Sequence, residues 1–224
     1  MLVVLGNQLF PLRYLPGPGS LPVFMAEDVG LCTYEKHHQQ KLVLFLAAMR
    51  AYADELRNAG YELHYLKLDM DDKRSYEAKL AAALEERGAT RLVHFEIEDK
   101  PMERRLISFA EEQGLDCEQL RSPMFTCSRE RFAEFAAGKS RLLMGEFYKQ
   151  QRRHLNILIE DDGEPAGGRW SFDADNRKKL PRNVEPPGMP VATQSRHVED
   201  VIALVEDAFP EHPGRARDFC WPSS

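Results

Sequence analysis

The chain has 224 residues, 43% of them hydrophobic and 29% charged, with a formal net charge of −6. That length can bury the core of one ordinary domain, or one domain with an appendage, and the composition excludes the disordered and fibrous classes. The negative balance argues against wholesale nucleic-acid binding, no apolar run reaches the roughly 18 residues of a membrane helix, and MLVVLGNQLF lacks the basic start and cleavage site of a secretion signal. Cys32, Cys117, Cys127 and Cys220 are too scattered for a zinc knuckle or a CxxC redox site, so reduced, mostly buried thiols in a cytoplasmic protein are expected.

In chain order, LVVL (2–5) is a short continuous apolar run, the pattern of a strand buried on both faces. PVFMA (22–26) reads as a second strand. From 34 to 58 a helix is predicted, with Leu42, Phe45, Leu46, Met49, Tyr52, Ala53 and Leu56 at three- and four-residue steps. YELHYLKL (61–68), RLVHFE (91–96) and LDCEQL (115–120) read as three more strands, separated by helices over 75–87 and 101–113 that stop at Gly88 and Gly114. Strands alternating with helices imply right-handed crossovers, hence an α/β fold with a doubly wound, five-stranded parallel sheet.

The second half changes character. Helices are predicted at 128–137, 140–159 and about 195–208, with a charged, glycine-led loop, GGRWSFDADNRKKLP (167–181), and a Pro-rich connector between the last two. Residues 139–182 hold ten Lys/Arg against seven Asp/Glu, the one basic region of an otherwise acidic chain. The expected division is an α/β domain over 1–125 and a helical connector over 126–224, with a long loop at about 160–192. Trp221 and Cys220 close to the C-terminus suggest packing on something, and a chain that looks interrupted.

Ligands of open parallel sheets bind beyond the carboxyl ends of the strands, at the switch point. GNQ (6–8), AED (26–28), the acids at 68–72 and EIED (96–99) fall there. Gly6 permits close backbone approach, and Asn7 and Gln8 offer amide donors and acceptors. Without a GxGxxG or Walker loop, and with acids that repel polyphosphate, a neutral heterocycle read by amides and carboxylates fits best. The alternative is that Gly6-Asn7 makes a turn and Glu27 and Asp28 are surface or capping acids. His37 and His38 point about 100° apart on a helix, which favours capping or packing over a metal. No acid–base pair or metal site is assigned. Arg152 and Arg153 read either as a solvated face or as a phosphate clamp.

LVVLGNQLF, HHQQKLVLFLAAMRAYADEL and MGEFYKQQRRHLNILIEDDGEPAGGRWSFDADNRKKLP together resemble the bacterial photolyase-related family that carries an iron–sulfur cluster and includes prokaryotic (6-4) photolyases and cryptochromes. The resemblance spans essentially the whole chain. It implies an N-terminal antenna domain with its connector. FAD, the lesion pocket and the 4Fe-4S cluster would lie in a C-terminal flavin domain absent from this chain, which would be a fragment or a shortened relative. By the same resemblance Gly6, Asn7, Gln8, Ala26, Glu27 and Phe45 would line a ribityl-lumazine pocket. Some members have Asp at the position of Asn7 and a smaller aliphatic at that of Phe45, while Leu31 replaces a second acidic ring contact. Trp170 and Phe172 would pack on the flavin domain. Arg177 and Lys178 would face DNA phosphate or the lesion, Arg152 and Arg153 would make DNA or interdomain contacts, and Asp173 would pair with an Arg or hold a cation. The implied role is light-driven repair of DNA photoproducts or blue-light sensing, with no catalytic residue in this chain. A stand-alone α/β small-molecule-binding or nucleic-acid-binding adaptor is the alternative.

Overall fold

The computed structural model describes residues 1–188 and 193–223. The end of the expected long loop, 189–192, lies outside the described residues, as does the last residue. The chain divides into two compact units, Met1–Met124 with the described part of Val191–Ser224, and Phe125–Pro190 as far as residue 188.

The first unit is a five-stranded, all-parallel sheet in the order β3-β2-β1-β4-β5. Its strands are β1 (Leu2–Val3), β2 (Val23–Ala26), β3 (Leu63–Leu66), β4 (Arg91–Phe95) and β5 (Asp116–Leu120). Side-chain alternation divides the central strands between two cores. Val3, Phe24, Ala26 and Leu92 point to the layer containing α3 (Tyr76–Arg87) and α4 (Lys100–Glu112). Leu2, Val4, Val23, Met25, Val93 and Phe95 point to the other layer, under α2 (Gln39–Asn58). Burial on both faces is why these strands read as unbroken apolar runs.

The helix predicted over 34–58 begins only at 39, as α2, and a separate short helix, α1 (Val29–Thr33), precedes the predicted span. His38 makes the break: its backbone is extended, and its Nδ1 accepts from the Gln40 amide as the N-cap of α2. His37 instead packs edge-on against Tyr34, with ring centroids 4.8 Å apart.

A further difference concerns the tail. The division at 125/126 assigned all of 126–224 to a connector, yet α7 (Val198–Ala208) and the residues after it pack on α2. Val43, Leu46 and Ala47 on a second face of α2 meet Val198, Val201, Val205 and Phe209 in a third buried cluster. Burying each such valine contributes roughly 1.5–3 kcal/mol. Gln39 pins the tail at two points, donating to the Phe209 carbonyl at 3.0 Å and accepting from the Ala216 amide at 2.9 Å. Near the C-terminus Phe219 is the buried aromatic, whereas Trp221 is 56% exposed and Cys220 is also exposed.

Asp54 of α2 accepts from His197 Nε2 at 2.6 Å and from Arg196 at 2.9 Å. Partial burial works against its ionisation, but these bonds hold the carboxyl below the usual carboxylate range. A carboxylate with a depressed folded-state pKa adds stability above its unfolded value and loses it as pH falls through the folded one. Docking of α7 is therefore expected to weaken below about pH 4. Asp54→Asn should remove that acid-side slope at a cost under about 1 kcal/mol at neutral pH, read by urea unfolding at pH 3 to 7.

The second unit carries α5 (Arg129–Ala136) and α6 (Met144–Leu155). Phe132, Phe135 and Phe147 join the two helices, with ring centroids 5.0 to 6.4 Å apart. The helix predicted over 140–159 starts later and stops earlier, because Asn156 adopts the left-handed conformation (φ 51°) that closes a helix. Phe132, Leu143, Met144 and Tyr148 are all exposed.

Candidate functional site

A cavity of about 440 Å³ opens in the first unit at the carboxyl ends of β1 and β2, next to the segment that leaves β4. This is the switch point, since the chain winds outward in opposite directions from β1 and β4. Gly6, Asn7, Ala26, Glu27 and Phe45 line it. Gln8 does not. It is buried beside the cavity, where its Nε2 donates to the Glu96 carbonyl at 2.7 Å and to Glu98 at 3.3 Å.

The geometry alters two expected roles. Gly6 is small because α2 lies against it: a Cβ there would come within 2.8 Å of Met49 Sδ and 3.5 Å of the Phe45 ring. Glu27 was expected to read a heterocycle with its carboxylate. Instead its side chain is fully buried and both oxygens are engaged. Arg50 donates through Nε at 2.7 Å and Nη2 at 2.9 Å, Tyr65 OH at 2.6 Å, and the Leu68 amide at 2.7 Å. A carboxylate offers about four lone-pair sites, and all are taken. Glu27 ties β2, β3 and α2 together, and neither of its oxygens is left for a ligand.

Asp28 is likewise committed. One oxygen caps α1 through the Leu31 amide at 3.0 Å, and the other accepts from buried Lys79 at 2.7 Å. The capping reading of Asp28 is therefore the observed one, with an ion pair added. These closed pairs neutralise both Glu27 and Asp28. Cys32 lies in the cavity wall, where burial, then Asp28 and Glu27, push its thiol up to about 12. At pH 8 iodoacetamide should therefore label exposed Cys220 well before Cys32, a difference that peptide mass mapping will show.

Sequence reasoning missed Tyr34, Tyr76, Met102 and Arg105, which also line the cavity. Tyr76 and Met102 occupy the first turns of α3 and α4. Helix starts that follow strand ends are where a switch-point cleft draws its second set of walls, so their positions carried a usable signal.

In the second unit Arg152 is 5% exposed and holds the start of the glycine-led loop. It donates to the carbonyls of Ile157 at 3.2 Å, Leu158, and Trp170 at 3.2 Å. It is thus a structural anchor, and neither a solvated face nor a phosphate clamp. Trp170 is half-buried beneath the guanidinium groups of Arg152 and Arg153, 5.2 and 4.4 Å from its ring centre. The loop thus folds back on its own unit through Trp170, while Phe172 stays 43% exposed. Gly167 is required: its φ is +77° and a Cβ would strike the Phe172 ring at 2.9 Å. Asp175 accepts from Arg169 and Lys178, and Arg177 stands 3.9 Å from Asp173 with its side chain 84% exposed. Among the described residues no helix is long and apolar enough to cross a membrane.

Comparison with known proteins gives the family. The family model described as deoxyribodipyrimidine photo-lyase-related protein matches residues 2–221. A (6-4) photolyase of Agrobacterium fabrum is 29% identical over 223 residues, which is 98% of this chain but 44% of that protein. An uncharacterized protein of Acanthamoeba polyphaga mimivirus is 26% identical over 192 residues, which is 81% of this chain and 95% of that protein. The chain therefore spans less than half the length of the bacterial relative and nearly all of the viral one. With the family model matching nearly every residue, the chain belongs to the deoxyribodipyrimidine photo-lyase-related protein family.

Proposed function

We propose that the first unit is an antenna-type domain that holds a ribityl-lumazine. Together with the second unit it would serve a photolyase- or cryptochrome-related flavoprotein, in light-driven repair of DNA photoproducts or in blue-light sensing. The observation that carries the reading is the cavity at the switch point, lined by Gly6, Asn7, Ala26, Glu27 and Phe45 within a chain of this family. Its volume falls in the range of small-molecule sites, about 300–1,000 Å³. Phe45, Leu46 and Ile97 supply apolar walls for a flat ring system, and exposed Asn7 supplies an amide at the rim. The closed Glu27–Arg50 and Asp28–Lys79 pairs suit a neutral heterocycle. When bound, the lumazine would supply absorption in the near-ultraviolet and violet.

In this reading FAD, the 4Fe-4S cluster and the lesion pocket would belong to a C-terminal flavin domain that partners these units. The apolar side chains that α5 and α6 expose would meet that domain, with Phe172. Arg153, Arg177 and Lys178 would contact damaged DNA, with Asp173 orienting Arg177. Titration of the protein with ribityl-lumazine, followed by fluorescence, tests the reading. Saturable one-to-one binding is expected, weakened at least about fivefold by Phe45→Trp, which fills the wall; one methylene's worth of misfit already gives a factor of that size. A flat titration with both proteins overturns it.

The viral relative favours a second reading, because it is matched over 95% of its own length. In that reading the two units form a stand-alone small-molecule- or nucleic-acid-binding adaptor. Duplex DNA binding that falls steeply with salt, in the absence of lumazine binding, would support it.

A further inference from the structure

We propose that Tyr76 selects the ligand of the cavity, its hydroxyl donating a hydrogen bond to a neutral acceptor, a ring carbonyl or ring nitrogen, of a planar heterocycle. The inference rests on the reading of the cavity as a heterocycle site. Tyr76 is 2% exposed and lines the cavity. Its hydroxyl is buried and has no hydrogen-bond partner among the described residues. A buried hydroxyl without a partner weakens a fold, so buried tyrosines nearly always find one. The ring alone would satisfy the packing: it sits edge-on to Phe24, with centroids 5.7 Å apart, within the core shared by Leu80 and Ile97. A phenylalanine would pack there without the penalty.

The neighbours that act electrostatically on this hydroxyl are already committed. Asp28 is bound to Lys79 and the Leu31 amide, and Arg105 holds Glu77 through two bonds of 2.7 and 3.0 Å. Asp28 and Arg105 line the same cavity as Tyr76. Burial, then Asp28, push the phenol up from its ordinary value, so the group is an O–H donor across the neutral range. Of the described residues that line the cavity, Tyr76 alone has a buried side-chain donor without a hydrogen-bond partner. Such a donor recognises a neutral acceptor. An anion at the hydroxyl would need a counter-charge there, but Lys79 and Arg105 are already paired, and Lys41, which also lines the cavity, is an exposed residue bonded to His37 Nδ1 at 3.2 Å.

Tyr76→Phe separates this role from a structural one, because the two predict opposite signs. The variant is expected to keep or raise the melting temperature of the free protein, since only an unpaired polar atom is removed. Its affinity for ribityl-lumazine, used as the probe, is expected to fall about tenfold, the worth of one buried hydrogen bond. Raman spectra of the bound probe should show its carbonyl or ring-nitrogen modes shifted between wild type and variant. Equal affinity and identical spectra in a variant that binds would overturn the role of Tyr76 and leave the heterocycle site standing. A lowered melting temperature in the free variant would assign the hydroxyl to the fold instead. Absence of binding by the wild-type protein would overturn the heterocycle reading, and this inference with it.

Discussion

Glu27→Ala is expected to destabilise the first unit by about 3–5 kcal/mol, the cost of leaving a buried charge without its partner. The residue left behind is Arg50, whose side chain is 9% exposed and whose Nε and Nη2 both point at the deleted carboxylate. Tyr65 OH and the Leu68 amide lose their acceptor in the same step. A domain of this size has roughly 5–15 kcal/mol in all, so much of the folded population is at risk. Urea unfolding followed by circular dichroism gives the difference directly. Glu27→Leu combined with Arg50→Met distinguishes a broken pair from a lost fold. Removing both charges should recover most of the loss, because closed buried pairs exchange for apolar side chains at little net cost. If the double variant is as unstable as Glu27→Ala, the geometry of the four bonds matters more than their charge.

The second large effect is expected in the other unit. Arg152→Ala should destabilise it by about 2–4 kcal/mol, as three carbonyls lose a charged donor and Trp170 loses one of its two stacked guanidinium groups. The damage should be local. Leu158 sits at φ 53°, a left-handed conformation that a leucine resists, and its carbonyl is one of the three that Arg152 holds. Without that bond the segment from 156 to 177 should open. Limited trypsin digestion would then cut at Arg169 or Arg177 much sooner than in the wild-type protein, with the first unit intact. Arg152→Lys should recover little, since one ammonium cannot span three carbonyls and stack on an indole.

The centre of the sheet was legible because β1, β2 and most of β4 are buried on both faces and leave largely apolar runs, such as Val23 to Ala26, whereas edge strands β3 and β5 are only partly buried. The crossover helices ended where Gly88 and Gly114 stand, as glycines with positive φ do. Capping was among the readings of His37 and His38, but the start of α2 at Gln39 was misplaced because a histidine cap carries no usual signature. The docking of α7 was hidden as well. A helix that packs on another helix more than a hundred residues away shows only its own apolar stripe, and nothing local names its partner. At the site, strand ends pointed to Gly6, Asn7 and Ala26 by topology alone. The actual duty of Glu27 needed Arg50, Tyr65 and Leu68 to be brought together in space. Arg152 shows the same limit: in sequence its charge suggested a surface residue, and only the fold turns it inward.

The third cluster, where α7 closes over α2, also orders events on the ribosome. Val43, Leu46 and Ala47 emerge early in synthesis, but Val201, Val205 and Phe209 follow some 150 residues later. At an elongation rate of about 5–20 residues per second, that face of α2 stays uncovered for roughly eight to thirty seconds. The whole second unit is translated in the interval, so it can fold while the first is still unfinished. The nascent chain thus carries a greasy flank for most of its synthesis, and chaperones that bind exposed aliphatic segments would find it there.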